Sequence, residues 1–112
     1  RVFIARALAQ QPQVLLLDEP TASLDIRHQL EVLELVRDFA HRQKGQVVMV
    51  LHDLNLAARF SDLLLMLNDG RVFAAGSPRD VLNEANVRAV YGVKARILNG
   101  ATGYYVIPLN PV

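Results

Sequence analysis

The run Val14-Leu15-Leu16-Leu17-Asp18-Glu19-Pro20 constrains this chain more than any other feature. Apolar residues in succession, without alternation, read as a strand covered on both faces, as in a parallel sheet with helices above and below. Pro20 cannot donate to a ladder and ends the strand. Ligands of open parallel sheets bind outside the carboxyl ends of the strands. Asp18 and Glu19 are therefore delivered, side by side, to where a ligand would sit. An apolar run followed by two acids also describes a strand meeting a solvated turn, so the flanking segments decide.

Asp25 is an expected helix N-cap, and from Ile26 to about Arg42 apolar residues recur at helical spacing. Leu30, Leu33, Val36 and Ala40 form the stripe, flanked by Val32, Leu35 and Phe39. Lys44-Gly45 ends the helix, with Gly as the expected cap. A second apolar strand, Val47 to Leu51, ends in His52-Asp53. Strand, helix and strand of these lengths read as a right-handed crossover, so the two strands should be parallel. His28 and His41 lie on the polar side of the helix and read as solvated.

Further on, Leu54 to Phe60 reads as a short helix and Leu63 to Leu67 as a third strand. Asn68-Asp69-Gly70 signals a hairpin into Arg71 to Ala75. Ser77-Pro78-Arg79-Asp80 opens a helix with an N-cap and a first-position proline. Another helix runs from about Glu84 to Tyr91 and is stopped by Gly92. The end reads as a small hairpin, Ala95 to Leu98 with Tyr104 to Ile107, joined through 99–103. At the other end, Arg1 to Gln10 is a helical stretch stopping before Pro12.

With 112 residues the chain is one small domain at most. Twelve Lys and Arg against eleven Asp and Glu leave a net charge of +1, so no nucleic-acid partner is expected. The absence of cysteine excludes disulfides and thiolate metal sites, which suits the cytoplasm. No apolar run approaches the ~18 residues that span a bilayer. The first residue is Arg, not Met, and lies inside a helical pattern, so the expectation is a chain that begins partway through a larger protein.

The order of these segments resembles the carboxyl-terminal half of an ABC-type ATPase. The helix at 1–10 corresponds to the one after the signature motif, Val14 to Asp18 to Walker B, Glu19 to the catalytic glutamate, Ala22-Ser23-Leu24-Asp25 to the D-loop and His52 to the H-loop. The family more often has Ser-Ala-Leu-Asp at the D-loop, a swap of two small residues. The fold so implied is α/β: a P-loop NTPase-type, mostly parallel sheet with flanking helices, incomplete because the Walker A strand is missing. Residues 1–112 would be the carboxyl-terminal part of one nucleotide-binding domain.

The resemblance also implies roles and partners. Asp18 would hold Mg²⁺, a cation that prefers oxygen ligands and keeps several waters. Glu19 would act as general base on the attacking water. His52 would donate to the γ-phosphate of ATP and to Glu19. Asp25 would cap its helix and, through the D-loop, approach the partner's nucleotide in a homodimer. Membrane permease subunits would be direct partners and a substrate-binding protein an indirect one, with the protein peripheral on the cytoplasmic face of the inner membrane. Leu24 to Gln29, Val50 to Asn55 and the tail around Ala89 to Val93 look like importers of iron(III) siderophores and related haem or cobalamin carriers.

Essential parts are missing from these 112 residues. No G-x-x-x-x-G-K-[ST] loop cradles phosphates, and neither a Q-loop nor a Leu-Ser-Gly-Gly-Gln signature is present. The fragment alone is expected to be inactive. In the family the Walker A strand lies between the His52-type strand and the next, so its deletion predicts a gap in the sheet and a marginal or aggregation-prone chain. Two alternatives remain: an ABC ATPase of a non-transport machine, and a non-enzymatic truncated remnant.

Overall fold

The computed structural model describes residues 6, 8–10, 13–101 and 103–112. The helix expected over Arg1 to Gln10 falls largely outside them, although Arg6, Leu8 and Ala9 within it are helical. The chain divides into two compact units, Arg1–His52 and Asp53–Val112.

In the first unit, β1 (Val14–Asp18) and β2 (Gln46–Val50) are joined by α1 (Ile26–Arg42). They form the expected parallel pair, with Leu16 opposite Val48 and Asp18 opposite Val50. Helix α1 starts where Asp25 accepts a hydrogen bond from the His28 N–H at 2.9 Å. Its Val32 and Val36 are buried against Leu17, Val47 and Met49, with Leu8 and Leu24 at the margin. Full burial of each such side chain is worth roughly 1.5–3 kcal/mol.

Three expectations need correction here. The sheet is covered on one face only: Val14, Leu16, Val48 and Val50 on the other face are exposed, Leu16 to 73%. A single crossover helix can cover one face, and the described residues supply no second layer. Leu35 points away from the sheet and is 41% exposed, because the buried stripe runs through Val32, Leu33, Val36 and Phe39. The left-handed residue after α1 is Lys44 (φ 54°), not Gly45. Gly45 is needed for a different reason, since a Cβ there would overlap the Phe39 ring.

The second unit contains α2 (Leu54–Phe60), β3 (Leu64–Asn68), β4 (Arg71–Gly76), α3 (Pro78–Val81), α4 (Glu84–Tyr91), β5 (Val93–Gly100) and β6 (Gly103–Pro111). Both strand pairs are antiparallel hairpins. Asp69 and Gly70 have positive φ (51° and 73°), as a two-residue turn of matching twist requires. Ser77 caps α3, accepting from the Asp80 N–H at 3.2 Å, with Pro78 at the first position. Gly92 ends α4 in the left-handed conformation. The last hairpin is longer than the expected Ala95 to Leu98 and Tyr104 to Ile107, and Thr102 in its turn lies outside the described residues. The core joins Met66, Val81, Leu82, Val87, Ala95 and Val106.

Candidate functional site

The carboxyl ends of β1 and β2 build the site. Asp18 is the last residue of β1, and the Glu19 N–H donates to the Val50 carbonyl at 2.9 Å, carrying the ladder one residue past the strand. The chain then turns sharply. Glu19 has φ 48°, the left-handed region, although a following proline biases a residue toward extended backbone. Such a conformation costs a non-glycine residue roughly 1–2 kcal/mol. Two short turns follow, with the Ala22 N–H donating to Glu19 O at 3.1 Å and the Leu24 N–H to Thr21 O at 3.3 Å. Ser23 is also left-handed (φ 64°), and Thr21 is the one buried polar residue among those described.

This turn and the end of β2 bring Glu19 and His52 together: His52 Nε2 contacts Glu19 Oε1. The pair is open to solvent, with the His52 side chain 80% exposed and Glu19 41%. A carboxylate accepts only, so the ring proton in this contact is on Nε2. Neutral imidazole then has Nδ1 as an acceptor, and both nitrogens donate only in the imidazolium form. The expected double donation, to Glu19 and to a phosphate, therefore calls for protonated His52.

Of the four candidate residues, the structure joins these two directly and sets Asp18 beside them in sequence at the strand end. Asp25 is the α1 cap, and its Oδ1 also meets His28 Nδ1 at 2.8 Å. His28 thus belongs to the cap. Among the described residues no group of three or more His, Cys, Asp or Glu converges as a metal cage. One exposed carboxylate still fits Mg²⁺, which takes one or two carboxylates and fills its shell with waters and phosphate oxygens. The left-handed turns at Glu19 and Ser23 had no clear signal in the sequence, since Pro20 argues against the first.

No protein-family model matches the sequence. Individual relatives do. The chain is 50% identical over 110 residues to an uncharacterized ABC transporter ATP-binding protein of Methanocaldococcus jannaschii, covering 98% of this chain and 43% of that protein. It is 52% identical over 112 residues to the cobalamin import ATP-binding protein BtuD of Halobacterium salinarum (99% of this chain, 28% of the relative). It is 50% identical over 105 residues to the hemin import ATP-binding protein HmuV of Hahella chejuensis (88% and 41%). This chain is homologous to ABC transporter ATP-binding proteins.

Solved structures agree. A chain from an ABC transporter assigned to the metal-chelate type, in an inward-facing conformation, matches with TM-score 0.83 and 30% identity over 96% of this chain and 45% of that one. An ATP-binding cassette solved as a dimer with ADP and Pi matches with TM-score 0.61 and 36% identity (67% and 32%). The fold is thus a partial ABC ATPase fold, in which β1, α1 and β2 supply the parallel part. The chain spans less than half the length of these curated relatives.

Proposed function

We propose that this chain is the carboxyl-terminal part of the ATP-binding, ATP-hydrolysing subunit of an ABC importer, and that the solute is an iron(III) siderophore or a related metal chelate. The observation that carries the reading is the meeting of Glu19 and His52 at adjacent parallel strand ends, next to Asp18. The relatives named for cobalamin and hemin import, and the metal-chelate type of the structural neighbour, support the choice of solute class.

Hydrolysis of the γ-phosphate requires an oriented water and a stabilised leaving group. Glu19 orients and deprotonates that water, and its contact with His52 fixes the direction of the carboxylate. His52 gives a ring N–H to a phosphate oxygen as charge develops. Asp18 would hold Mg²⁺, which supplies neutralisation of phosphate charge when bound. Asp25, beyond its capping role, would carry the D-loop toward the second subunit of a homodimer. The phosphate-binding loop would come from the remainder of the intact protein, which would also cover the bare face ending at Asp18.

Two such subunits would act on membrane permease subunits from the cytoplasmic face, with a substrate-binding protein engaged only indirectly. No helix among the described residues is long and apolar enough to cross a membrane. The test is ATP turnover by the intact native protein, after its mass has been measured and found well above the 12.5 kDa of this chain. Glu19→Gln and His52→Ala should bind ATP and lose hydrolysis. Unchanged turnover in both would reject the roles, and a native mass near that of this chain would favour the remnant.

A further inference from the structure

Asn55 resembles nothing catalytic, yet its side chain makes two long-range hydrogen bonds to one distant residue. Its Nδ2 donates to the Val106 carbonyl at 3.1 Å and its Oδ1 accepts from the Val106 N–H at 2.7 Å, across 51 positions of sequence. A primary amide offering one donor and one acceptor to the same residue copies what a neighbouring strand would offer. The register explains why Val106 is available. Gly100 pairs with Gly103 around the two-residue turn, Leu98 with Tyr105 and Ile97 with Val106. In an antiparallel pair, bonded and non-bonded positions alternate. Val106 and Tyr104 therefore aim their backbone groups away from β5, at the open edge of β6.

That edge is otherwise lightly defended. Pro108 has no N–H to offer, and Tyr104 retains one. Open edges recruit strands from other chains unless something blocks them. Asn55 is itself held in place, because Asp53 Oδ1 accepts from the Asn55 and Leu56 N–H groups at 2.9 and 3.0 Å and sets the first turn of α2. Val106 is fastened from its other side as well, its side chain being 4% exposed in the core.

We infer that Asn55 is a latch that stands in for a third strand: it holds the carboxyl-terminal hairpin on α2 and closes the centre of the β6 edge to pairing with a second copy of the chain. Nothing in this inference depends on the ATPase reading. It requires an amide specifically. Leucine has nearly the same shape and forms neither hydrogen bond, whereas aspartate keeps the acceptor and loses the donor.

Amide hydrogen exchange on the intact native protein that contains these residues tests it. In the wild type the Val106 amide should exchange at least about tenfold more slowly than the Tyr104 amide on the same edge. Asn55→Leu should bring Val106 to the Tyr104 rate and raise the weight-average mass in sedimentation at equal concentration, and Asn55→Asp should fall between. Equal rates for the two amides in the wild type overturn the latch, as does protection of Val106 that survives Asn55→Leu. Unchanged sedimentation of a folded Asn55→Leu chain overturns the closing of the edge. If that variant does not fold, the wild-type comparison alone decides.

Discussion

The two units bury their apolar surface in different ways. Among the described residues of Arg1–His52, α1 lies on one face of the β1–β2 sheet, and the opposite face stays open along Val14, Leu16, Val48 and Val50. In Asp53–Val112 residues from β3, α3, α4, β5 and β6 converge on one cluster, and a polar latch ties the last strand down. The second unit also leaves Leu65, Leu67 and Val72 exposed on its first hairpin, but it has a core of its own. The residues proposed for chemistry all lie in the unit with the less finished core. Reactive side chains at strand ends need access, and the layer that would complete their sheet is also the layer expected to bring the phosphates.

If the division is correct, substitutions should separate along it. The largest effect expected is on rate: in the intact protein Glu19→Gln should slow ATP hydrolysis by on the order of 10²–10⁴ with ATP binding retained, as single-turnover and binding assays would measure. Next comes the core of the second unit, where Leu82→Ala should cost about 2–5 kcal/mol. In a urea titration followed by amide signals, that loss should fall on residues after Asp53. Gly45→Ala should cost roughly 1–3 kcal/mol by pressing on Phe39, and the signals that shift should be those of the first unit. Asp25→Ala removes the α1 cap and should cost about 1 kcal/mol. Smallest, measured on these 112 residues by themselves, is Leu16→Ser on the bare face, expected within about 0.5 kcal/mol and accompanied by reduced self-association on a sizing column. A large loss of stability from Leu16→Ser would mean that the face is covered after all, and the contrast between the units would fail.

Local chemistry made much of this legible in advance. Asp25, Ser77 and Gly92 announced helix boundaries because caps are set by the residue and its immediate neighbours. Asn68-Asp69-Gly70 announced its hairpin for the same reason. The order of motifs led to Asp18, Glu19 and His52. What could not be read was set by contacts between distant segments or by the lack of them. An uninterrupted apolar strand looks the same whether its second face is covered or bare, so Leu16 gave no warning. The duty of Gly45 depends on where Phe39 lies, and that of Asn55 on a strand 51 residues away. The proline after Glu19 argued for extended backbone, and the turn that aims this carboxylate overrides that preference.

The backbone at Glu19 has an evolutionary corollary. Glycine, and to a lesser degree asparagine, adopt positive φ far more readily than glutamate. A population of variants sorted only for thermal resistance should therefore enrich Gly or Asn at position 19, while one sorted for the ATP hydrolysis proposed above should keep Glu. The two selections pull the same codon in opposite directions, so its drift toward glycine in a lineage would mark the point at which the proposed catalytic role of Glu19 ceased to matter.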